Sequence, residues 1–138
     1  LLAFFEFLTP PFGMVDVRPR AVDLWLAQQP GEFAVMMFPY ELAVSGGAEM
    51  YYTKYHGKKI ASGYGSYFPR HFTVHEGDLK AFPEDRALDV LSDWGVRYVL
   101  VSEDAYRDRP SIWQRIGEQK RLELTTIQGR VRVYRLSR

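Results

Sequence analysis

PEDRALDVLSDWGVRYVLVSED, residues 83–104, holds a helix, a turn and a strand in one unbroken stretch. Pro83 and two acids open it, as suits the positive end of a helix, and Leu88, Leu91 and Trp94 recur at helical spacing to form one apolar stripe. Gly95 stands where the residue that ends a helix needs a positive φ. Val96 to Val101 then follows directly as an apolar strand. A helix delivered straight into such a strand is half of an α/β unit, so further strands and helices of the same kind are expected on either side.

They are present in both directions. Toward the C-terminus, SIWQRIGEQ after Pro110 predicts a short helix, and RLELTTIQ and RVRVYRL alternate across Gly129 as the two strands of a hairpin. Toward the N-terminus, FAVMMFP (33–39) is an uninterrupted apolar run of strand length, as expected for a central strand covered on both faces. Before it, RAVDLWLAQQP predicts a helix of about ten residues that opens after Pro19 and closes at Pro30-Gly31, with Val22, Leu24, Trp25 and Leu26 on a broad apolar face. Leu2 to Leu8 reads as a strand stopped by Pro10-Pro11. Gly47 to Tyr55 is read as a helix with Met50, Tyr51 and Tyr55 on one face, Lys59 to Ala61 as a short strand, and Gly63 to Pro69 as loop. The fold class expected is therefore α/β, a single-domain sandwich with a mixed, largely parallel central sheet flanked by helices and a C-terminal β-hairpin.

The bulk of the sequence bounds the function. With 138 residues, 46% hydrophobic and 25% charged, the chain suits one globular domain able to bury about two-thirds of its unfolded surface. A formal charge of +1 with scattered basic residues leaves no nucleic-acid footprint. The absence of cysteine excludes thiolate metal sites, disulfides and Cys nucleophiles. There is no G-x-S-x-G elbow, phosphate loop, dinucleotide fingerprint or H-E-x-x-H, so no cofactor is expected. The opening LLAFFEFL is too short and carries Glu6, so it does not read as a membrane span; without an initiator Met the chain reads as a segment of a longer protein.

Candidate chemistry concentrates in YYTKYHGKKIASGYGSYFP, residues 51–69. His56 there is a general base only if a carboxylate orients it, with Glu41 and Glu49 the nearby acids; otherwise its nitrogens serve loop backbone groups. The tyrosines, with Phe68, either stack on sugar rings or bases, with Lys58, Lys59 and Arg70 supplying charge, or fill the core around a long connection. His71 and His75 would share a metal on a helix, but HFTVHEGD is rich in β-branched and aromatic residues, so surface or loop histidines are expected. Glu84-Asp85 and Glu103-Asp104 fall at element ends, where capping and solvation account for them.

The order of segments also carries a resemblance. Trp25-Leu26 with Pro30, the strand ending at Pro39, the run Tyr52, His56-Gly57-Lys58, Ile60, Gly63-Tyr64, Pro69, and the group Leu91, Gly95-Val96, Tyr98-Val99 together resemble the soluble C-terminal region of bacterial polytopic membrane proteins related to lipid-sugar-dependent (GT-C type) glycosyltransferases. The resemblance spans most of residues 6–102 and departs at Ser62, where asparagine is expected. It implies an extracytoplasmic α/β domain tethered by transmembrane segments outside this chain. Catalysis in such proteins is assigned to acidic residues of the membrane part, which would make this domain accessory and non-catalytic. The implied partners are the membrane-embedded portion of the same protein and a glycan or polyprenyl-phosphate-linked sugar, with Tyr52, His56, Lys58, Tyr64 and Tyr67 as contact residues. A free-standing enzyme using His56 and a nearby carboxylate, and a purely structural or protein-interaction module, stand beside it as alternatives.

Overall fold

The computed structural model of the chain describes residues 17–40, 45–63 and 70–137. The strand expected at Leu2–Leu8 and the loop from Tyr64 to Pro69 lie outside the described residues. The elements run α1 (Ala21–Ala27), β1 (Ala34–Phe38), α2 (Ser45–His56), β2 (Lys59–Ile60), α3 (Arg70–Lys80), α4 (Asp85–Asp93), β3 (Val96–Ser102), α5 (Pro110–Glu118), β4 (Leu122–Gln128) and β5 (Val131–Leu136).

One open sheet of order β2-β1-β3-β5-β4 carries them. Its centre is parallel, β1 pairing with β2 and β3, and the β4–β5 hairpin joins antiparallel beside β3. Helices cover both faces. On one face α1 sets Val22 and Leu26 against Val35, Tyr98, Leu100 and Val133. On the other, Phe72 and Leu79 of α3, Leu88 and Leu91 of α4, and Ile112 and Ile116 of α5 enclose Met36, Phe38, Val99 and Val101. Apolar residues of β1 and β3 thus point both ways, which is why both strands read as nearly continuous hydrophobic runs. Val96 and Tyr98 serve opposite faces across a register shift: Ala34 pairs with Val96 and Val35 with Tyr98, so Arg97 is the extra residue of a bulge.

The helix–turn–strand at 83–104 forms as read. Leu88 and Leu91 are fully buried, Trp94 occupies the C-cap, and Gly95 follows at φ 73. Ile112 and Ile116 anchor α5, with Pro110 in its first turn.

Three expectations change. Residues 70–80 form a helix, where the β-branched content of HFTVHEGD suggested loop or strand. Phe72 and Leu79, two turns apart, lock into the core, and Phe72 packs on Trp94 with ring centroids 5.0 Å apart; packing outweighs weak local propensity here. In α2 the helix is correct but its face is not. Met50 and Tyr51 are exposed, while Glu49 and His56 are buried. In α1, of seven residues rather than ten, Leu24 is exposed, Asp23 is fully buried, and Pro19 lies outside the first turn. The reason for the last two is shared: Asp23 and Glu49 turn inward because one arginine pairs with both.

Candidate functional site

That arginine is Arg20, at the N-cap of α1. Its backbone N–H and its Nε both donate to Asp23 Oδ2, at 2.8 and 2.9 Å, and Nη2 donates to Oδ1 at 2.8 Å. The same guanidinium reaches α2, where Nη1 and Nη2 donate to the two carboxylate oxygens of Glu49 at 2.6 and 3.0 Å. The Tyr52 ring, one turn on, lies under it with the ring centroid 3.9 Å from Cζ. Four donors in a planar fork meet two carboxylates and a π-face, an arrangement a lysine cannot reproduce. Burial disfavours the Arg20 charge, but the hydrogen bonds it donates to Asp23 and Glu49, and their negative charges, outweigh it and hold its pKa above the ordinary arginine value. The network staples α1 to α2.

Of the residues singled out in the sequence, Tyr52, His56 and Lys58 come together around this staple, whereas Tyr64, Tyr67, Phe68 and Glu41 lie outside the described residues. Gly57, at φ 66, carries the chain out of the α2 helix, and its N–H still donates to Thr53 O at 2.8 Å. The next N–H, that of Lys58, has left the helical ladder and donates to His56 Nδ1 at 2.9 Å. His56 is buried, with its acceptor nitrogen committed to the turn that follows it. The Lys58 ammonium turns back to donate to the carbonyls of Gln29 and Gly31, at 2.6 and 3.1 Å, and lies over the Phe33 ring. His56 thus holds the turn after α2, and Lys58 ties that turn to the α1–β1 connection.

Glu49, the described candidate to orient His56, gives both oxygens to Arg20 and makes no hydrogen bond to the imidazole. Burial pushes the His56 pKa below its ordinary value; the Arg20 and Lys58 charges act the same way, while Asp23 and Glu49 act against them. Neutral His56 in the folded chain must therefore take up a proton on unfolding in mildly acid solution. Stability from this group is complete above its ordinary value of about 6.5 and is lost as pH falls through that value toward the lower folded one. Denaturant titrations from pH 7.5 to 5 should show this loss, and His56→Asn, which keeps a side-chain acceptor near the Nδ1 position, should abolish that component.

On the outer side of α2, the Lys54 ammonium hydrogen-bonds the exposed Tyr51 hydroxyl and lies over the Tyr51 and Tyr55 rings. Tyr55 Oη donates to Val17 O at 2.6 Å. A cavity of about 380 Å³, lined by Arg18, Pro19, Arg20 and Tyr52, opens beside the staple. His75 pairs with Asp78 at 3.1 Å, and the side chain of His71 lies outside the described part. No group of three or more His, Asp or Glu among the described residues is placed to hold a metal. Glu84 pairs with Arg86 and Arg115, Glu103 with Arg132, and Asp104 with Arg107 and Arg130, so these acids form surface pairs.

Sequence reading missed the Arg20 staple. Its one signal was an acid, Asp23, inside an otherwise apolar helical run and three residues after an arginine.

No protein-family model matches the chain, and no curated protein matches it in sequence. Its structure is similar to the C-terminal globular domain of oligosaccharyltransferase from Archaeoglobus fulgidus. The TM-score is 0.56 at 11% sequence identity, over 84% of this chain and 94% of that domain. The likeness is one of fold. It extends over most of the chain rather than over one local motif.

Proposed function

We propose that the chain is an accessory, non-catalytic domain of a membrane glycosyltransferase-like protein, held at the extracytoplasmic face of a bacterial membrane by transmembrane segments outside these residues. The observation that carries this reading is the fold likeness to a globular domain of an oligosaccharyltransferase, found independently of the motif order that first suggested such a protein. No helix among the described residues is long and apolar enough to cross a membrane. The polar groups agree with a supporting role, because Glu49 and Lys58 make hydrogen bonds that join separate elements, and Asp23 and His56 hold the local turns beside them. The domain packs against the membrane-embedded portion and helps position a glycan or a polyprenyl-phosphate-linked sugar. Tyr52, beside its open cavity, is the contacting ring; His56 and Lys58 shape the turn that follows its helix, and Tyr64 and Tyr67 are the further contact residues of this reading.

The lack of cysteine makes a clean test of placement available. Arg107→Cys puts a single thiol on an exposed turn. In the full-length protein, with any cysteine outside these residues first replaced by serine, a membrane-impermeant maleimide is expected to label Arg107→Cys without lysis in right-side-out membrane vesicles. Labelling only after lysis, or recovery of the protein in the soluble fraction, would overturn the proposal.

A further inference from the structure

A second cavity, of about 410 Å³, lies on the other side of Arg20, at the C-terminal ends of the parallel strands β1 and β3. Its position follows from the winding of the chain. β1 leads toward α2, which packs on α1 over one face of the sheet, while β3 leads into α5, whose Ile112 and Ile116 pack on the opposite face. The connections leave these two neighbouring strand ends in opposite directions and open a crevice between them, the place where open α/β sheets receive ligands. The volume falls within the range of small-molecule sites.

The lining chemistry selects the ligand class. One wall is the Arg20–Glu49 pair, with Nη1 and Oε1 2.6 Å apart, and the other is the Arg130–Asp104 pair at 3.3 Å. Two arginines and two carboxylates sum to zero charge, so an anion attracted to the guanidiniums would meet equal repulsion from the carboxylates. The Arg20–Glu49 wall keeps the second Nη1 N–H beside the remaining lone pairs of the Glu49 oxygens. The Arg130–Asp104 pair engages only Nη1 of the arginine and Oδ1 of the acid, so each wall still sets a donor beside an acceptor. That is the pattern that holds adjacent hydroxyl groups, each of which donates one hydrogen and accepts another. Ser102 at the end of β3 accepts from the Ala105 N–H at 3.3 Å and keeps its own hydroxyl hydrogen for a ligand. Met37 and Pro39 give the floor an apolar surface against which the C–H face of a ring can lie.

We infer that this crevice, formed by Arg20–Glu49, Ser102 and Asp104–Arg130 over Met37 and Pro39, binds a neutral polyhydroxylated sugar ring. The origin of that sugar as part of a glycan rests on the membrane-enzyme reading above; the binding itself rests on the crevice alone. The test is titration of the ¹⁵N-labelled chain with the methyl glycosides of glucose, galactose, mannose and N-acetylglucosamine, with inorganic phosphate as the anionic comparison. At least one glycoside is expected to shift the backbone amides of Ser102, Ala105 and Val131 saturably, and phosphate is expected to leave them in place. Asp104→Asn should weaken that binding about tenfold, as for loss of one charge-assisted hydrogen bond. Glu118→Gln, on a distant exposed helix end, should leave it unchanged. The inference is overturned if no glycoside shifts those amides, if phosphate binds there more tightly, or if Asp104→Asn has no effect while the protein stays folded. A negative result here leaves the vesicle-labelling experiment unaffected, so the two failures are distinguishable.

Discussion

Arg20→Ala is expected to lower the unfolding free energy by about 3–5 kcal/mol, the range found when one partner of a buried ion pair is removed. Asp23 is fully buried and Glu49 nearly so, and the substitution leaves both carboxylates without their shared cation. It also removes the N-cap side chain of α1 and the cation over the Tyr52 ring. Domains of this size have total stabilities of about 5–15 kcal/mol, so a large part of the margin goes and the Tm should fall on the order of 10 °C. Chemical denaturation monitored by circular dichroism measures it. Two companion variants give the result its meaning. Arg20→Lys should recover only part of the loss, because an ammonium cannot serve two carboxylates in a planar fork. The triple change Arg20→Met, Asp23→Leu, Glu49→Leu should recover most of it, since apolar replacement of a whole buried ionic group is often neutral or stabilising. A single variant as stable as the parent would show that the staple does not hold α1 to α2.

The second large effect lies in the sheet. Phe38, the last residue of β1, is 1% exposed and stacks on Phe82 with ring centroids 4.0 Å apart and planes 15° from parallel. Phe38→Ala should cost about 3–5 kcal/mol through lost burial and the cavity left behind. Phe38→Leu, which keeps most of the volume, should cost clearly less. A loss below about 1 kcal/mol for Phe38→Ala, of the size seen at surface positions, would contradict the packing of α3 and α4 on this face. Because Phe82 stacks directly on Phe38, a double variant with Phe82→Leu should be non-additive.

Much of this architecture was legible in the sequence, for a local reason. Leu88, Leu91 and Gly95 declare a helix and its end without reference to anything else, and the apolar runs of β1 and β3 mark strands buried on both faces. The hairpin declares itself by alternation around Gly129. What escaped depends on partners far away in sequence. Residues 70–80 are helical because Phe72 and Leu79 find the core. Glu49 faces inward because Arg20, 29 residues earlier, is there to meet it. No periodicity within α2 can show that, and so Met50 and Tyr51 were placed inside when they are exposed. The candidate site divides in the same way. The Tyr52, His56, Lys58 grouping is visible as a local cluster. That His56 faces the Lys58 N–H, and the Lys58 ammonium the carbonyls of Gln29 and Gly31, follows only from the turn at Gly57 and the nearby end of α1.

The central claim is that His56 and its neighbours are scaffold within a domain that supports chemistry performed elsewhere. Its most direct test is the rate of the sugar transfer proposed for the full-length protein, measured with a lipid-linked donor, parent against His56→Asn, with thermal unfolding followed in parallel to confirm folding. A supporting role predicts rates within about twofold of each other, because the asparagine still accepts from Lys58 N–H and no proton transfer passes through residue 56. A fall of about 10²-fold or more in the folded variant, the size expected on removing a general acid or base, would contradict the account and place catalysis in this domain.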